Sequence, residues 1–156
     1  MDDKDRQIIA ELQANARLTN SELAERVNLS PSPCLRRVRL LEEAGILKGY
    51  TAIVDTEACG YPVTAFVRIR LQPHNGETVQ AFEAAIAKID VVMDSYVMAG
   101  NADYMLRVVV KSLKHYETFI RSDLHSVPGV ASIDTSFTYG HVKHSLVLPI
   151  DRDRHS

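Results

Sequence analysis

The chain has 156 residues, 46% of them hydrophobic and 24% charged, with a formal net charge of −2. That is enough apolar material for one medium core or two small ones, and the near-zero charge excludes a protein that coats nucleic acid indiscriminately. No apolar run approaches the ~18 residues of a membrane span, and no basic leader with an apolar stretch opens the chain, so a cytoplasmic protein without a membrane partner is expected.

Residues 2–15 read as a helix. Ile8, Ile9 and Leu12 make its apolar face, and the early aspartates suit the positive end of the helix dipole. After a connector at 15–20, in which Thr19 or Asn20 can cap the next helix, comes the stretch SELAERVNLSPSPCLRRVRLLEEAGIL at 21–47. It reads as two helices joined by a tight turn. The first covers 21–27, with Leu23, Ala24 and Val27 as its apolar stripe. Asn28-Leu29-Ser30 breaks it, and Ser30-Pro31-Ser32-Pro33 opens the second, because proline in a first turn lacks an N–H that would be orphaned anyway. Either serine can be the cap. Gly45 is the expected left-handed stop.

Cys34, Leu35, Val38 and Leu41 are expected to face inward on the second helix, Cys34 as a small buried hydrophobe. With Cys59 it makes only two cysteines, too few for a disulfide framework. Ser32, Arg36 and Arg39 share the opposite side, and Arg37 lies on the flank. Arginine forks onto guanine or phosphate and serine bonds either, so this is the layout of a helix-turn-helix recognition helix. The candidate DNA-binding residues are Ser21, Ser30, Ser32, Pro33, Arg36, Arg37 and Arg39, with Arg36 expected on a base and Arg37 on phosphate. The plainer alternative is a surface arginine cluster on a helical hairpin, with Arg39 and Glu43 as an exposed ion pair. Residues 1–50 hold eight Lys/Arg and eight Asp/Glu, a weak basic footprint that suits two or more copies acting together on DNA.

Residues 49–55 have strand composition and are expected to leave the helical domain as an exposed strand. Gly60 and Pro62 mark 56–62 as a hinge. Residues 63–150 read as a ferredoxin-like βαββαβ unit with an added strand. In the first strand, 63–72, Val63, Ala65, Val67, Ile69 and Leu71 share one face, while Phe66, Arg68 and Arg70 on the other invite a partner sheet. Val79, Phe82, Ile86 and Ile89 mark a helix at 77–88. Strands follow at 91–98 and 104–110, joined by a turn at 99–103. Leu113, Tyr116, Ile120, Leu124 and Val127 mark the second helix, which Pro128-Gly129 ends. Strands at 130–139 and 142–148 form a closing hairpin turning at Gly140. The expected division is therefore a helix-turn-helix domain at 1–48, a linker strand and hinge at 49–62, the ferredoxin-like domain at 63–150 and a polar tail at 151–156. The fold class is α+β.

The turn at Gly100-Asn101-Ala102-Asp103-Tyr104 is the informative stretch of the second half. Glycine and asparagine allow positive φ and leave backbone N–H groups open to a carboxylate, while Asp103 can hold an ammonium. The alternative is a plain hairpin turn with Asp103 satisfying its own backbone. No phosphate loop, nucleophile elbow or H-E-x-x-H pair appears, so no catalytic residue is assigned. His141-x-x-His144 lacks companions at metal spacing, and no metal site is assigned.

LTNSELAERVNLSPSPCLRRVRLLEEAGILKGYTAIVD resembles the DNA-binding half of the Lrp/AsnC family, the leucine-responsive or feast/famine regulators, whose winged-helix-like head this implies. DDKDRQIIAELQANARL resembles the family's first helix, AGNADYMLRVVV its effector turn, and VPGVASIDTSFTYGHVKHSLVLPI its closing hairpin. The likeness runs in one order from residue 2 to residue 150. It implies a sequence-specific transcriptional regulator of double-stranded promoter DNA, not an enzyme. It implies a homodimer that assembles to tetramers or octamers, with the 49–55 strand pairing with its counterpart in a second subunit. It also implies an amino acid or related metabolite as effector, without a further cofactor, at the interface between dimers. Gly100, Asn101, Asp103 and Tyr104 would hold it, Met98 would add an apolar wall, and Thr135 and Ser136 would contribute from a neighbouring subunit. The rival from another class is a small-molecule-binding or catalytic ferredoxin-like protein with a helical protein-interaction domain. A third reading keeps DNA binding and makes the second domain an assembly scaffold without a ligand.

Overall fold

The structure, a computed structural model, describes residues 1–150; the expected tail at 151–156 lies outside them. The chain forms two compact units, Met1–Ala52 joined by the chain from Val142 on, and Ile53–His141.

In the first unit, α1 (Asp3–Ala14) begins with a capping box. The Asp2 carboxylate accepts from the Asp5 N–H and the Asp5 carboxylate from the Asp2 N–H, each at 2.9 Å. Thr19 and Glu22 repeat the device at α2 (Asn20–Arg26). Ser30 is the N-cap of α3 (Pro31–Glu43) but makes no side-chain cap bond. Pro31 and Pro33 reduce the number of first-turn N–H groups that need one. Asn28 takes φ +52° in the turn between α2 and α3, and Gly45 takes φ +66° after α3, the left-handed stop that its side-chain-free Cα permits. Ile8, Leu23, Ala24, Val27, Cys34 and Leu41 close the core, and burial pushes the Cys34 thiol up from its ordinary value. Leu35 departs from expectation: it is 39% exposed, not inward. One residue past Cys34 turns it about 100° around the helix, off the stripe that Cys34 and Leu41 define. Lys4 Nζ donates to the Val27 carbonyl at 2.6 Å, fastening α1 to the end of α2.

The expected strand at 49–55 does not form. Tyr50, Ile53 and Val54 stay exposed, because a strand needs a neighbour to take its N–H and C=O groups and a single chain offers none here. The Asp55 carboxylate instead accepts from the Glu57 and Ala58 N–H groups and starts a turn that ends at Gly60.

The second unit is built on β1 (Val63–Leu71), α4 (Gly76–Ile86), β2 (Val92–Val97), β3 (Tyr104–Val110), α5 (Leu113–Thr118), which continues as a π-helical stretch, Phe119–Leu124, and β4 (Val130–Phe137). This is the expected βαββαβ order, and the sheet is antiparallel with strand order β2-β3-β1-β4. The inward residues of β1 (Ala65, Val67, Ile69 and Leu71) meet Leu106 and Val108 of β3 under Phe82, Phe119 and Leu124 of the helical layer. The other sheet face carries charges paired across strands: Arg68 with Asp134 at 2.9 Å, and Arg107 with Asp94. The closing hairpin is incomplete. β4 forms, but 142–148 does not return along it as a strand. The chain there belongs to the first unit, where the Leu148 N–H donates to Gln13 Oε1 at 2.7 Å and Ile150 packs on the helical core. No helix among the described residues is long and apolar enough to cross a membrane.

Candidate DNA-binding helix and effector cleft

α3 leaves Ser32, Pro33, Arg36 and Arg39 exposed, and Ser21 and Ser30 are exposed beside it. Neither Arg36 nor Arg39 has a carboxylate within 4 Å among the described residues, so the Arg39–Glu43 pair of the plainer alternative is not formed. Both guanidiniums remain available to an anionic partner. Arg37 is different. It donates to Asp2 and Asp5 at 2.7 Å each, tying α3 to the start of α1. The Asp5 N–H and the Arg37 guanidinium hold the Asp2 carboxyl below its usual range, and the two carboxylates push Arg37 up. Arg37 therefore sets the angle at which α3 is presented. Asn20 adds a second strut by donating to the Pro31 carbonyl at 2.9 Å.

Within the second unit, the turn before β3 is pinned on both sides. The Met98 N–H donates to the Asp103 carbonyl at 2.8 Å, and the Asp103 N–H to the Ile69 carbonyl at 2.9 Å. The Asp103 carboxylate accepts from the Leu71 N–H at 2.7 Å and lies 3.3 Å from His74 Nδ1. Gly100 takes φ +125°, open to solvent on its Cβ side. The result is a cleft of about 500 Å³ whose lining includes Arg70, Gln72, His74, Gly100, Asp103 and Ser132. A second hollow of about 310 Å³ lies across Arg70, with Asn101 on its wall. Arg70 Nε donates to the Asn101 carbonyl, which leaves the terminal nitrogens free to meet a ligand.

The structure gathers only part of the expected effector set. Gly100 and Asp103 share the cleft; Asn101 borders its neighbour. Met98 is 40% exposed near the turn. The Tyr104 ring, in contrast, is buried against Phe82, and its hydroxyl donates to Glu83 at 2.7 Å. Burial, then the Glu83 carboxylate, pushes its hydroxyl up to about 12, so this side chain serves the core. The Thr135 hydroxyl meets the Tyr116 hydroxyl under the helical layer, whereas Ser136 is exposed on the next position of β4. Neither lines the cleft. Sequence reading missed Arg70, Gln72, His74 and Ser132 as cleft residues. Only the outward position of Arg70 in the β1 alternation hinted at one of them. The others reach the turn through the pairing of Ile69 with Tyr104 and of Arg70 with Ser132.

A model for winged helix-turn-helix DNA-binding domains matches residues 1–48, and one for the Lrp/AsnC ligand binding domain matches residues 64–148. The transcriptional regulator AzlB of Bacillus subtilis is 39% identical over 97% of this chain and 96% of its own. The DNA-binding transcriptional activator DecR of Escherichia coli is 38% identical over 97% of this chain and 99% of its own. Among solved structures, a Neisseria meningitidis transcriptional regulator in complex with L-Met superposes with a TM-score of 0.90 at 36% identity, covering 97% of each chain. An AsnC family regulator from Agrobacterium tumefaciens gives 0.89 at 32% identity, covering 96% of this chain and 97% of that one. Two arginines without a carboxylate partner among the described residues, on an exposed helix after a tight turn, a βαββαβ unit with a polar cleft at its β3 turn, and near full-length likeness to such regulators lead to one conclusion: this chain is a member of the Lrp/AsnC family of DNA-binding transcriptional regulators.

Proposed function

We propose that this regulator senses an amino acid in the cleft bounded by Arg70, His74 and Asp103, and that occupancy changes how many α3 helices reach one DNA at once. The observation that carries the reading is the cleft itself: an acid able to take an ammonium and a guanidinium able to take a carboxylate border one cavity of about 500 Å³. The L-Met complex of the Neisseria relative supports an amino acid as ligand. Assembly of two or more subunits supplies the coupling. The open sheet face and the unpaired 49–55 segment are surfaces that a second copy would cover, and multivalent engagement raises affinity without new contacts. The protein would act as a cytoplasmic homo-oligomer on double-stranded promoter DNA, with Ser32, Arg36 and Arg39 reading bases.

The test is binding to the DNA upstream of its own gene against a scrambled duplex at physiological salt, with and without a pool of the common amino acids. Selective binding that the pool shifts is the expected result. Equal, weak binding to both duplexes and to other candidate promoters would overturn the regulatory reading. Arg36→Ala is expected to weaken the selective component by ~1–3 kcal/mol, the worth of one bidentate base contact. An unchanged ratio of selective to scrambled affinity would remove Arg36 from the base-reading set.

A further inference from the structure

We infer that the ligand of this cleft is an α-amino acid whose side chain ends in a carbonyl oxygen, an amide or a carboxylate, and that His74 and Gln72 select it over aliphatic amino acids. The inference rests on the effector reading above and names the ligand class for the same cleft.

The argument is a count of donors and acceptors. Arg70 and His74 can donate into the cavity, Gln72 and Ser132 can donate or accept, and Asp103 is the one carboxylate among the lining residues. That carboxylate is already half used, because one oxygen takes the Leu71 N–H and the other faces His74. The apolar lining is Leu71, which is 5% exposed and belongs to the core, and the single methyl group of Ala131. A zwitterion settles part of the balance. Its ammonium replaces His74 at Asp103, and its carboxylate takes the terminal nitrogens of Arg70, whose Nε is spent on the Asn101 carbonyl. His74 is then released, with Gln72 beside it, and both can donate to the side chain of the ligand. A branched aliphatic side chain placed there would lie against two polar groups and offer neither a hydrogen bond. A terminal carbonyl oxygen satisfies them. His74 is well exposed in the unliganded protein, so it can turn from Asp103 to the ligand without disturbing the core.

The experiment is calorimetric titration of the full chain with glutamine, glutamate, asparagine and aspartate, and in parallel with leucine, valine and methionine. At least one polar amino acid is expected to bind about tenfold tighter than any aliphatic one, the scale of one hydrogen bond kept or lost. His74→Ala is expected to lower the polar affinity about tenfold and leave the aliphatic series where it was, and Gln72→Ala to do the same more weakly; melting temperature confirms that both fold. Tighter binding of an aliphatic amino acid would overturn the inference and keep the effector reading. A polar preference that survives both substitutions would overturn the role given to these residues. Binding of none of the seven would overturn the inference; a further lack of response to the full pool of common amino acids would take the effector reading with it.

Discussion

Tyr104 and Arg37 show how residues that a sequence offers for binding can be taken by the fold. Tyr104 follows the effector turn, and its letter alone suggests a ligand contact, yet strand alternation turns its ring into the core against Phe82. Its hydroxyl is pushed up to about 12, so the native state favours the neutral phenol. A raised value contributes stability that is complete below the ordinary 10 and is lost as pH rises from there toward about 12. Tyr104→Phe should flatten that alkaline loss in pH-dependent melting curves and cost ~0.5–1.5 kcal/mol at neutral pH for the bond to Glu83. Arg37 sits in sequence between Arg36 and Arg39, the two arginines proposed to read DNA, but the helical turn swings it toward α1, where Asp2 and Asp5 hold it. Arg37→Ala is therefore expected to lower the melting temperature of the protein. If it weakens DNA binding on every sequence without any loss of stability, Arg37 touches phosphate after all. Periodicity could place Arg37 on the flank of α3, but nothing in it says that an acid more than thirty residues away waits on that flank.

The helices were legible because their signals are local. Thr19 with Glu22, the proline-opened start of α3 and the Gly45 stop all announce themselves within four residues. Both capping boxes rest on carboxylates held below their usual range, Asp2 chiefly by the Asp5 N–H and Glu22 chiefly by the Thr19 N–H. Depressed carboxylates stabilise above their ordinary value and stop doing so as pH falls through the folded one. Helical signal should therefore decline at pH values below about 4, and Asp2→Asn with Glu22→Gln should blunt that decline in circular dichroism. The strands expected at 49–55 and 142–148 do not form within the single chain, for the opposite reason. Their composition is that of strands, but composition cannot supply a partner, and both stretches remain exposed. A tighter constraint lies where β4 begins. Gly129 takes φ +86°, and a Cβ there would come within 2.1 Å of Thr78 on α4. Gly129→Ala should cost ~1–3 kcal/mol, from overpacking together with a conformation that alanine resists. Denaturant melts would read it, and a change below a few tenths would mean that α4 gives way freely.

At the level of the whole molecule, the two-part plan was readable from order alone, a helical head followed by a βαββαβ body. What order cannot give is which side chains the sheet register brings to one cavity. His74 and Asp103 are 29 positions apart and meet only because β1 lies beside β3. The same register gives Asp103 two tasks at once, and this has a consequence for genetics. A selection for mutants deaf to the effector should return changes at Asp103 and at His74, but the two classes should differ in character. Loss of Asp103 also strips the Leu71 N–H of its acceptor at the end of β1, so those alleles should be temperature-sensitive and poorly accumulated. His74 alleles should be as abundant as the parent at every growth temperature and fail only in the response. Sorting such a collection by heat tolerance would separate residues that hold the message from residues that hold the wall behind it.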